Sequence, residues 1–260
     1  MSFAPPAVLC FAASDPTSGA GVQADLLTVA ALGCHPLCAV TALTVQDTSG
    51  VERVVAMDAE LVADQARRLL ADIPVAAFKL GVLGSAASAR AIASLLAEHP
   101  RAPVVLDPVL ASARGDALAG EDTIGVVRER LLPLTTVLTP NSLEARRLAR
   151  SNTDLAGSAR MLIAQGCKYV LITGTHEPTD AVVNTLYDAR GEVRADRWKR
   201  LPHSYHGSGC TLASAIAAAL AQGAAVPEAV RKAQEFTWQS LAAGFRSGKG
   251  QHVPNRFFSR

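Results

Sequence analysis

The stretch "AFKLGVLGSAASARAIASLLAEHPRAPVVLDPVL" (residues 77–110) sets the architecture that the sequence predicts. Its apolar run at 77–83 is typical of a buried strand, and the alanine-rich segment 85–99 has the pattern of a helix. A second buried strand follows at 103–110. A strand, a helix and a strand in this order form a βαβ unit, whose two strands run parallel. We therefore expect a three-layer α/β/α fold, with a mostly parallel central sheet flanked by helices.

The same alternation continues on both sides of this stretch. Further strands are predicted at 7–13, 38–46, 135–140 and 168–174, and further helices at 22–33, 59–72, 121–132, 142–150 and 154–166. Residues 181–201 depart from the alternation and indicate an antiparallel hairpin at a sheet edge, with its turn at 189–192. Helical patterns return beyond the hairpin. No linker or repeat interrupts the chain, so we expect 1–260 to form a single domain.

The composition argues against several functional classes. The 260 residues are 49% hydrophobic and carry a formal net charge of +2 without a basic block, so neither nucleic acid nor an acidic membrane is an expected partner. No apolar run reaches the roughly 18 residues that span a bilayer, and the first residues lack the positive region of a secretory signal. The five cysteines show no paired spacing. We expect a cytoplasmic protein.

The segment "HGSGCTLASAIAAALAQG" (206–223) predicts an anion site at the start of a helix. The first N–H groups of a helix lack intrahelical partners, and the helix dipole is positive there. Gly207, Ser208 and Gly209 leave these groups open to a phosphate. The same field predicts a lowered pKa for Cys210, which could then act as a nucleophile or a general base. The alternative is a tight loop with a buried structural thiol.

A glycine-rich loop, "SDPTSGAGVQAD" (14–25), follows the first predicted strand. Residues 19–24 match G-x-G-x-x-G/A, so a dinucleotide-binding oxidoreductase is an alternative. Several residues separate this match from the strand, however, and no acidic residue stands about 20 positions further on, as the fingerprint requires. The other interpretation is a polar loop that presents Asp15, Ala20 and Asp25 to a substrate.

Two carboxylates are predicted at one edge of the sheet. Asp107 stands near the end of one predicted strand. Asn141 follows the end of another predicted strand, and Glu144 lies one helical turn after Asn141. Ligands of open α/β sheets bind at the carboxyl ends of the strands. Because Mg²⁺ bound with phosphates needs few protein oxygens, Asp107 and Glu144 are candidate metal ligands. The alternative is that Asn141 only caps its helix and Glu144 only interacts with the helix dipole.

Six blocks of the sequence together resemble the hydroxymethylpyrimidine/phosphomethylpyrimidine kinases of thiamin biosynthesis, which belong to the ribokinase-like superfamily. The blocks are "ASDPTSGAGVQADLLTVAALG", "TALTVQDTSGV", "KLGVLGS", "VVLDPVL", "RLLPLTTVLTPNSLEA" and "HGSGCTLASAIAA", in family order within about residues 8–222. The resemblance implies a ribokinase-like fold that uses ATP and Mg²⁺. It implies phosphorylation of 4-amino-5-hydroxymethyl-2-methylpyrimidine, and then of its monophosphate, by a homodimer. A related kinase for pyridoxal is the alternative.

The resemblance also implies roles for individual residues. Gln46 would read the pyrimidine edge with two hydrogen bonds. Cys210, where most of the superfamily carries an aspartate, would be the base toward the substrate hydroxyl. Gly207, Ser208, Gly209 and Cys210 would form the anion hole, and Asp107 and Glu144 would organise Mg²⁺. The other assigned residues are Ala20, Asp25, Thr44 and Val82 near the ring, Asn141, Thr173 and Gly174 along the ATP phosphates, and a helix at about 227–244 near the adenine.

The chain departs from the family's pattern in three places. The loop after "DPV" has Ala113 where the family often has a lysine, with Arg114 beside it, and an arginine is not an equivalent point charge. Residues 173–176, "TGTH", stand where "KGGH" is common, and the tail after 245 matches the family's ending poorly. The first two departures bear on how a substrate that already carries a phosphate is held.

Overall fold

The protein is built on one sheet between two layers of helices. The computed structural model describes residues 4–111, 118–151 and 154–259. Within these ranges the strands are β1 (Ala7–Ser14), β2 (His35–Gln46), β3 (Val51–Ala56), β4 (Val75–Leu80), β5 (Val104–Leu106), β6 (Val137–Leu138), β7 (Tyr169–Ile172), β8 (Ala181–Asp188) and β9 (Gly191–Lys199). Their order is β3-β2-β1-β4-β5-β6-β7-β8-β9. The strands from β2 across to β7 run parallel, and β3, β8 and β9 join by antiparallel pairing.

Helices cover both faces of this sheet. They are α1 (Gly21–Ala31), α2 (Ala59–Asp72), α3 (Ala86–Ala97), α4 (Glu121–Val126), α5 (Ser142–Ala149), α6 (Leu155–Ala164), α7 (Ser208–Ala221) and α8 (Val226–Ala242). Helices α2 to α6 share one core with Phe11 and Leu106, while α1, α7 and α8 share the other with Cys10 and Val105. Neighbouring strand residues thus enter opposite cores, as the pleat requires. The predicted three-layer α/β/α fold is confirmed.

Two elements differ from the sequence prediction. Strand β3 was not predicted, because its side chains are at most half-buried at the sheet edge and form no buried apolar run. The helix predicted at 121–132 ends at Val126 and continues as a π-helical turn, Val127–Leu131. The predicted hairpin is confirmed as β8 and β9. In the parts of the chain that the structure describes, no helix is long and apolar enough to cross a membrane.

Candidate active site

A cavity of about 760 Å³ lies at the carboxyl ends of the parallel strands. Its wall brings together the predicted residues Ala20, Thr44, Gln46, Val82, Asp107, Asn141, Glu144, Thr173, Gly207, Ser208, Gly209 and Cys210. Two predicted residues are not on this wall. The N–H group of Gly174 donates to Asn184 at 3.1 Å, and Asp25 is completely buried beneath the site. Neither residue therefore lines the cavity, and the places of Asp25 near the ring and of Gly174 along the ATP phosphates stay predictions.

The predicted anion site lies at the start of α7. Gly207, which precedes the helix, has a φ of +83°, and a Cβ atom there would overlap the carbonyl oxygen of Gly19. Only glycine lets the two loops cross this closely. Ser208, Gly209 and Cys210 belong to the first helical turn, so their N–H groups have no acceptor within the helix. These residues line the cavity at the positive end of the helix dipole, an arrangement that stabilises a phosphoryl group.

The thiol of Cys210 is held in its protonated form. Burial raises the pKa of the thiol to about 12, because the positive charge of Lys79 only partly opposes it and the carboxylates of Asp107 and Asp25 reinforce it. The prediction of a lowered pKa at the helix N-terminus is therefore wrong. Desolvation and two nearby negative charges raise the pKa of the thiol instead.

A buried ion pair lies beneath the anion site. Lys79 in β4 and Asp25 in α1 both have fully buried side chains, with Lys79 Nζ 2.7 Å from Asp25 Oδ1. Ser214 in α7 donates a 2.8 Å hydrogen bond to the same carboxylate. Burial alone would lower the pKa of Lys79, but the Asp25 carboxylate raises it above its ordinary value, so Lys79 stays a cation. Lys79 was not predicted as a site residue, although a lysine inside an apolar strand signals a buried, paired charge.

Asp107 and Glu144 form a carboxylate pair that resists ionisation. Burial raises the pKa of Asp107 to about 6, and burial together with the charge of Asp107 raises the pKa of Glu144 to about 7. The alternative role of Asn141 is also present: its Oδ1 accepts from the N–H groups of Leu143 and Glu144, and Glu144 Oε2 accepts from the Asn141 N–H group at 2.9 Å. This capping box leaves Glu144 on the cavity wall.

The pair fits the predicted Mg²⁺ ion. A divalent cation would relieve the repulsion between two desolvated carboxylates. Within residues 4–111, 118–151 and 154–259, no cluster of three or more His, Cys, Asp or Glu could hold a metal. A two-carboxylate site still suits Mg²⁺, because this ion keeps several waters and takes further oxygens from substrate phosphates.

Asp15, His206 and Gln46 are linked at one end of the cavity. Asp15 accepts from the N–H groups of Thr17 at 2.8 Å and Ala20 at 2.7 Å, and its Oδ2 lies 2.9 Å from His206 Nε2. Although burial opposes ionisation, these bonds lower the pKa of Asp15 to about 2. Gln46 Nε2 lies 3.1 Å from the same nitrogen of His206. No role was predicted for His206, because its partner Asp15 is 191 residues away.

The C-terminal segment also contacts the loops that form this site. Arg256 is only 4% exposed, and its guanidinium donates to the carbonyl oxygens of Ser18 at 3.3 Å and Gly19 at 2.6 Å. It also donates to the Thr211 hydroxyl in α7 at 3.2 Å. Arg256 therefore ties the glycine-rich loop to the helix that carries the anion site.

The other end of the cavity is lined by β9 and α8. Trp198 and Trp238 stack there, with ring centroids 6.4 Å apart. Gln234 Oε1 accepts from Asn184 Nδ2 at 2.9 Å and from Trp198 Nε1 at 3.0 Å. This is the end where the helix predicted at about 227–244 was expected to meet an adenine. The loop with Ala113 and Arg114 lies outside the described residues.

The combination of fold and site defines a class of protein. A mostly parallel sheet carries, at one edge, a phosphate-receptive helix N-terminus and a carboxylate pair, as a ribokinase-like small-molecule kinase requires. The family model for phosphomethylpyrimidine kinase matches residues 15–255. The hydroxymethylpyrimidine/phosphomethylpyrimidine kinase of Streptomyces coelicolor is 42% identical over 254 residues, covering 95% of this chain and 92% of that protein. The chain belongs to the phosphomethylpyrimidine kinase family.

Solved structures agree with this assignment. The phosphomethylpyrimidine kinase of Clostridium difficile 630 has a TM-score of 0.78 at 30% identity, covering 89% of this chain and 97% of that one. The pyridoxal kinase of Staphylococcus aureus in complex with AMP-PCP and pyridoxal has a TM-score of 0.86 at 28% identity, covering 98% and 94%. The predicted ribokinase-like fold is thereby confirmed.

Proposed function

We propose that the protein transfers the γ-phosphoryl group of ATP to the hydroxymethyl group of 4-amino-5-hydroxymethyl-2-methylpyrimidine, and then phosphorylates the resulting monophosphate. One observation carries this proposal: Gln46, the anion site at Gly207 to Cys210, and the Asp107–Glu144 pair all line one cavity. Membership of the kinase family and the AMP-PCP complex of the pyridoxal kinase support ATP as the donor.

The substrate end of the cavity suits a flat, weakly polar ring. Thr44 Oγ1 donates to the Ser14 carbonyl oxygen at 2.9 Å, so the hydroxyl is occupied within the fold. Val82 and Ala20 add apolar surface. Gln46 then supplies the polar contacts, because one amide can donate to a ring nitrogen and accept from an amino group.

The transfer itself needs positioning and charge stabilisation more than covalent chemistry. The substrate oxygen bonds to the γ-phosphorus as the bond from that phosphorus to the β-bridging oxygen breaks and ADP leaves. The N–H groups of Ser208, Gly209 and Cys210 stabilise the charge on the transferring group. The thiolate of Cys210 takes the hydroxyl proton; because the thiol rests protonated, the reactive fraction is small, and Lys79 favours it by lowering the pKa of Cys210.

Asp107 and Glu144 would hold Mg²⁺, which when bound neutralises charge on the β- and γ-phosphates. Asn141 and Thr173 stand at the neighbouring ends of β6 and β7, where they form a parallel bridge. This position supports their proposed place along the phosphates of ATP.

Three expectations about the whole molecule stay proposals: a single domain, a homodimer and a cytoplasmic location. Leu43, Val45 and Val55 lie exposed on the β2–β3 ribbon, an apolar surface that supports self-association. The free cysteines, Cys210 among them, support a reducing compartment. Light scattering of the purified protein tests the dimer.

An ADP-release assay tests the proposed activity. The hydroxymethylpyrimidine, its monophosphate and pyridoxal are each supplied with ATP, with Mg²⁺ or with EDTA. We expect Mg²⁺-dependent ADP release with both pyrimidines. No release with either pyrimidine would refute the proposal, and release with pyridoxal alone would replace it by the pyridoxal alternative.

A pair of glycine variants links this activity to the anion site. Gly207→Ala introduces a Cβ atom that overlaps the Gly19 carbonyl oxygen, so we expect at least a tenfold (~1.4 kcal/mol) loss of kcat. Gly223→Ala at the other end of α7 is the matched control, since Gly223 has a φ of +88° but open space around it. Equal losses in the two variants would show that backbone strain, rather than the anion site, lowers the rate.

A further inference from the structure

We propose that His206 fixes the amide of Gln46 with its oxygen facing inward, so that the cavity selects a ring with a hydrogen-bond donor next to its hydroxymethyl group. This proposal rests on the proposed function, since it takes Gln46 as the residue that reads the substrate. His206 is here a positioning residue that acts through Gln46.

Asp15 determines which nitrogen of His206 carries a proton. The Asp15 side chain is 3% exposed, and its carboxylate accepts from the Thr17 and Ala20 N–H groups and from the Thr17 hydroxyl at 3.0 Å. An ionised carboxylate can only accept hydrogen bonds. The Nε2 atom of His206, 2.9 Å from Asp15 Oδ2, must therefore carry a proton and donate it.

The proton on His206 in turn determines the direction of the Gln46 amide. Gln46 Nε2 lies 3.1 Å from His206 Nε2, and two N–H donors cannot form a hydrogen bond with each other. The oxygen and nitrogen of an amide can exchange places without changing the shape of the side chain. With the exchange, the His206 N–H group is shared between Asp15 Oδ2 and Gln46 Oε1. We therefore place Oε1 inward and the NH₂ group outward.

The direction of the Gln46 amide determines the orientation of the substrate. In the aminopyrimidine, the carbon that bears the amino group lies between a ring nitrogen and the carbon that bears the hydroxymethyl group. The amino group would donate to Gln46 Oε1, and the ring nitrogen would accept from Gln46 Nε2. The hydroxymethyl group then lies on the side of His206, which directly precedes Gly207 of the anion site. The reverse amide direction would turn this group away from the phosphoryl group.

A fixed amide is also a specificity device. The 4-oxo analogue, 5-hydroxymethyl-2-methylpyrimidin-4(3H)-one, presents an acceptor where the substrate has its amino donor, and a donor where the substrate has its ring nitrogen. Its carbonyl oxygen would face Gln46 Oε1, so both contacts would fail. A site whose buried polar groups are left unpaired by the wrong ligand discriminates strongly. If Gln46 could turn freely, it would accept either ring.

Two matched variants test this proposal. His206→Phe removes the N–H donor and keeps a ring against Gly19, while His206→Gln keeps a donor of similar reach and removes the ring. The dissociation constants of the aminopyrimidine and of its 4-oxo analogue are measured by calorimetry for each protein. We expect the preference of the unmodified enzyme for the amino form to fall about tenfold or more in His206→Phe and to change less than about threefold in His206→Gln.

The outcomes separate this proposal from the proposed function. An unchanged preference in His206→Phe overturns the proposal, because a purely structural role weakens the binding of both ligands alike. An equal fall of the preference in the two variants also overturns it, because the donor that His206→Gln keeps would then have no effect. If His206→Phe does not give a cooperative thermal transition, His206→Leu takes its place. Binding does not require turnover, so an enzyme that binds the aminopyrimidine but releases no ADP would refute the proposed function and leave the role of His206 decided by these constants.

Discussion

Replacing Lys79 by methionine should destabilise the protein far more than breaking any exposed ion pair. The Lys79 and Asp25 side chains are fully buried, with Nζ 2.7 Å from Oδ1. Lys79→Met keeps most of the volume but leaves the Asp25 carboxylate without its counter-ion. Removing one partner of a buried pair costs about 3–5 kcal/mol, because the remaining charge stays desolvated. For a chain of this size, a loss of that order lowers Tm by roughly 6–20 °C.

A double variant separates the effect of the unpaired charge from the effect of altered packing. Asp25→Asn removes the negative charge and keeps an oxygen for the 2.8 Å hydrogen bond from Ser214. In the double variant Lys79→Met/Asp25→Asn no unpaired charge remains, so at least about 2 kcal/mol of the single-variant loss should return. Arg67→Met is the control, because its pair with Glu60 has side chains 51% and 72% exposed and should contribute below about 1 kcal/mol.

Urea unfolding at pH 7 measures the free energy of unfolding of four proteins: the unmodified protein, Lys79→Met, the double variant and Arg67→Met. Thermal unfolding gives the corresponding Tm values. The reasoning is refuted if Lys79→Met loses less than about 1 kcal/mol, or if the double variant is no more stable than the single one. The first result would mean that Asp25 takes up a proton or reaches water. The second would mean that the loss comes from packing.

Three further predictions concern the site. Cys210→Ala should lower kcat at least about tenfold with little change in KM. Cys210→Asp should retain activity but lose the rise in kcat above pH 8 that a thiol of high pKa produces. Superimposable pH–rate profiles of Cys210→Asp and the unmodified enzyme would remove the base role. In EDTA, the free energy of unfolding should rise as pH falls from 8 to 5, because the pKa of Glu144 is raised to about 7 in the folded protein. Glu144→Gln should remove up to about 3 kcal/mol of this change. Parallel curves of unfolding free energy against pH for the two proteins would contradict the raised pKa. Arg256→Met should lower the free energy of unfolding by about 2–3 kcal/mol and weaken pyrimidine binding more than ATP binding. Arg246→Met, at an exposed arginine, should change the free energy of unfolding by no more than about 0.5 kcal/mol. Equal losses of stability in the two variants would show that the buried hydrogen bonds of Arg256 do not stabilise the protein.

The parts of the fold that were predictable are those with a local signal. Buried strands such as β1 and β7 are unbroken apolar runs, and their alternation with helices indicates parallel pairing without further information. Strand β3, "VERVVA", lacks that signal because it is an edge strand with mostly exposed side chains. Its pairing with β2 stabilises it, and pairing is a tertiary property.

The site was predictable where a motif fixes its own geometry. The Gly207–Cys210 stretch predicts a helix N-terminus, and helix α7 begins there, at Ser208. The ionisation of Cys210 was not predictable, since it depends on Asp107 and Asp25 brought in from other elements. Asp25 itself was assigned to the substrate by resemblance, and only the structure shows that Lys79 takes its carboxylate.

The reach of Arg256 across the molecule has a consequence for refolding. Its hydrogen bond to the Gly19 carbonyl oxygen joins residues 237 positions apart. Contacts of such long range form late, because the chain between them loses entropy when the loop closes. A refolding chain would therefore regain its sheet, its helices and the β9–α8 end of its cavity before the glycine-rich loop is tied down. With ATP bound at that end, as proposed above, nucleotide binding would return ahead of catalytic turnover, and the interval between the two would time the docking of the tail.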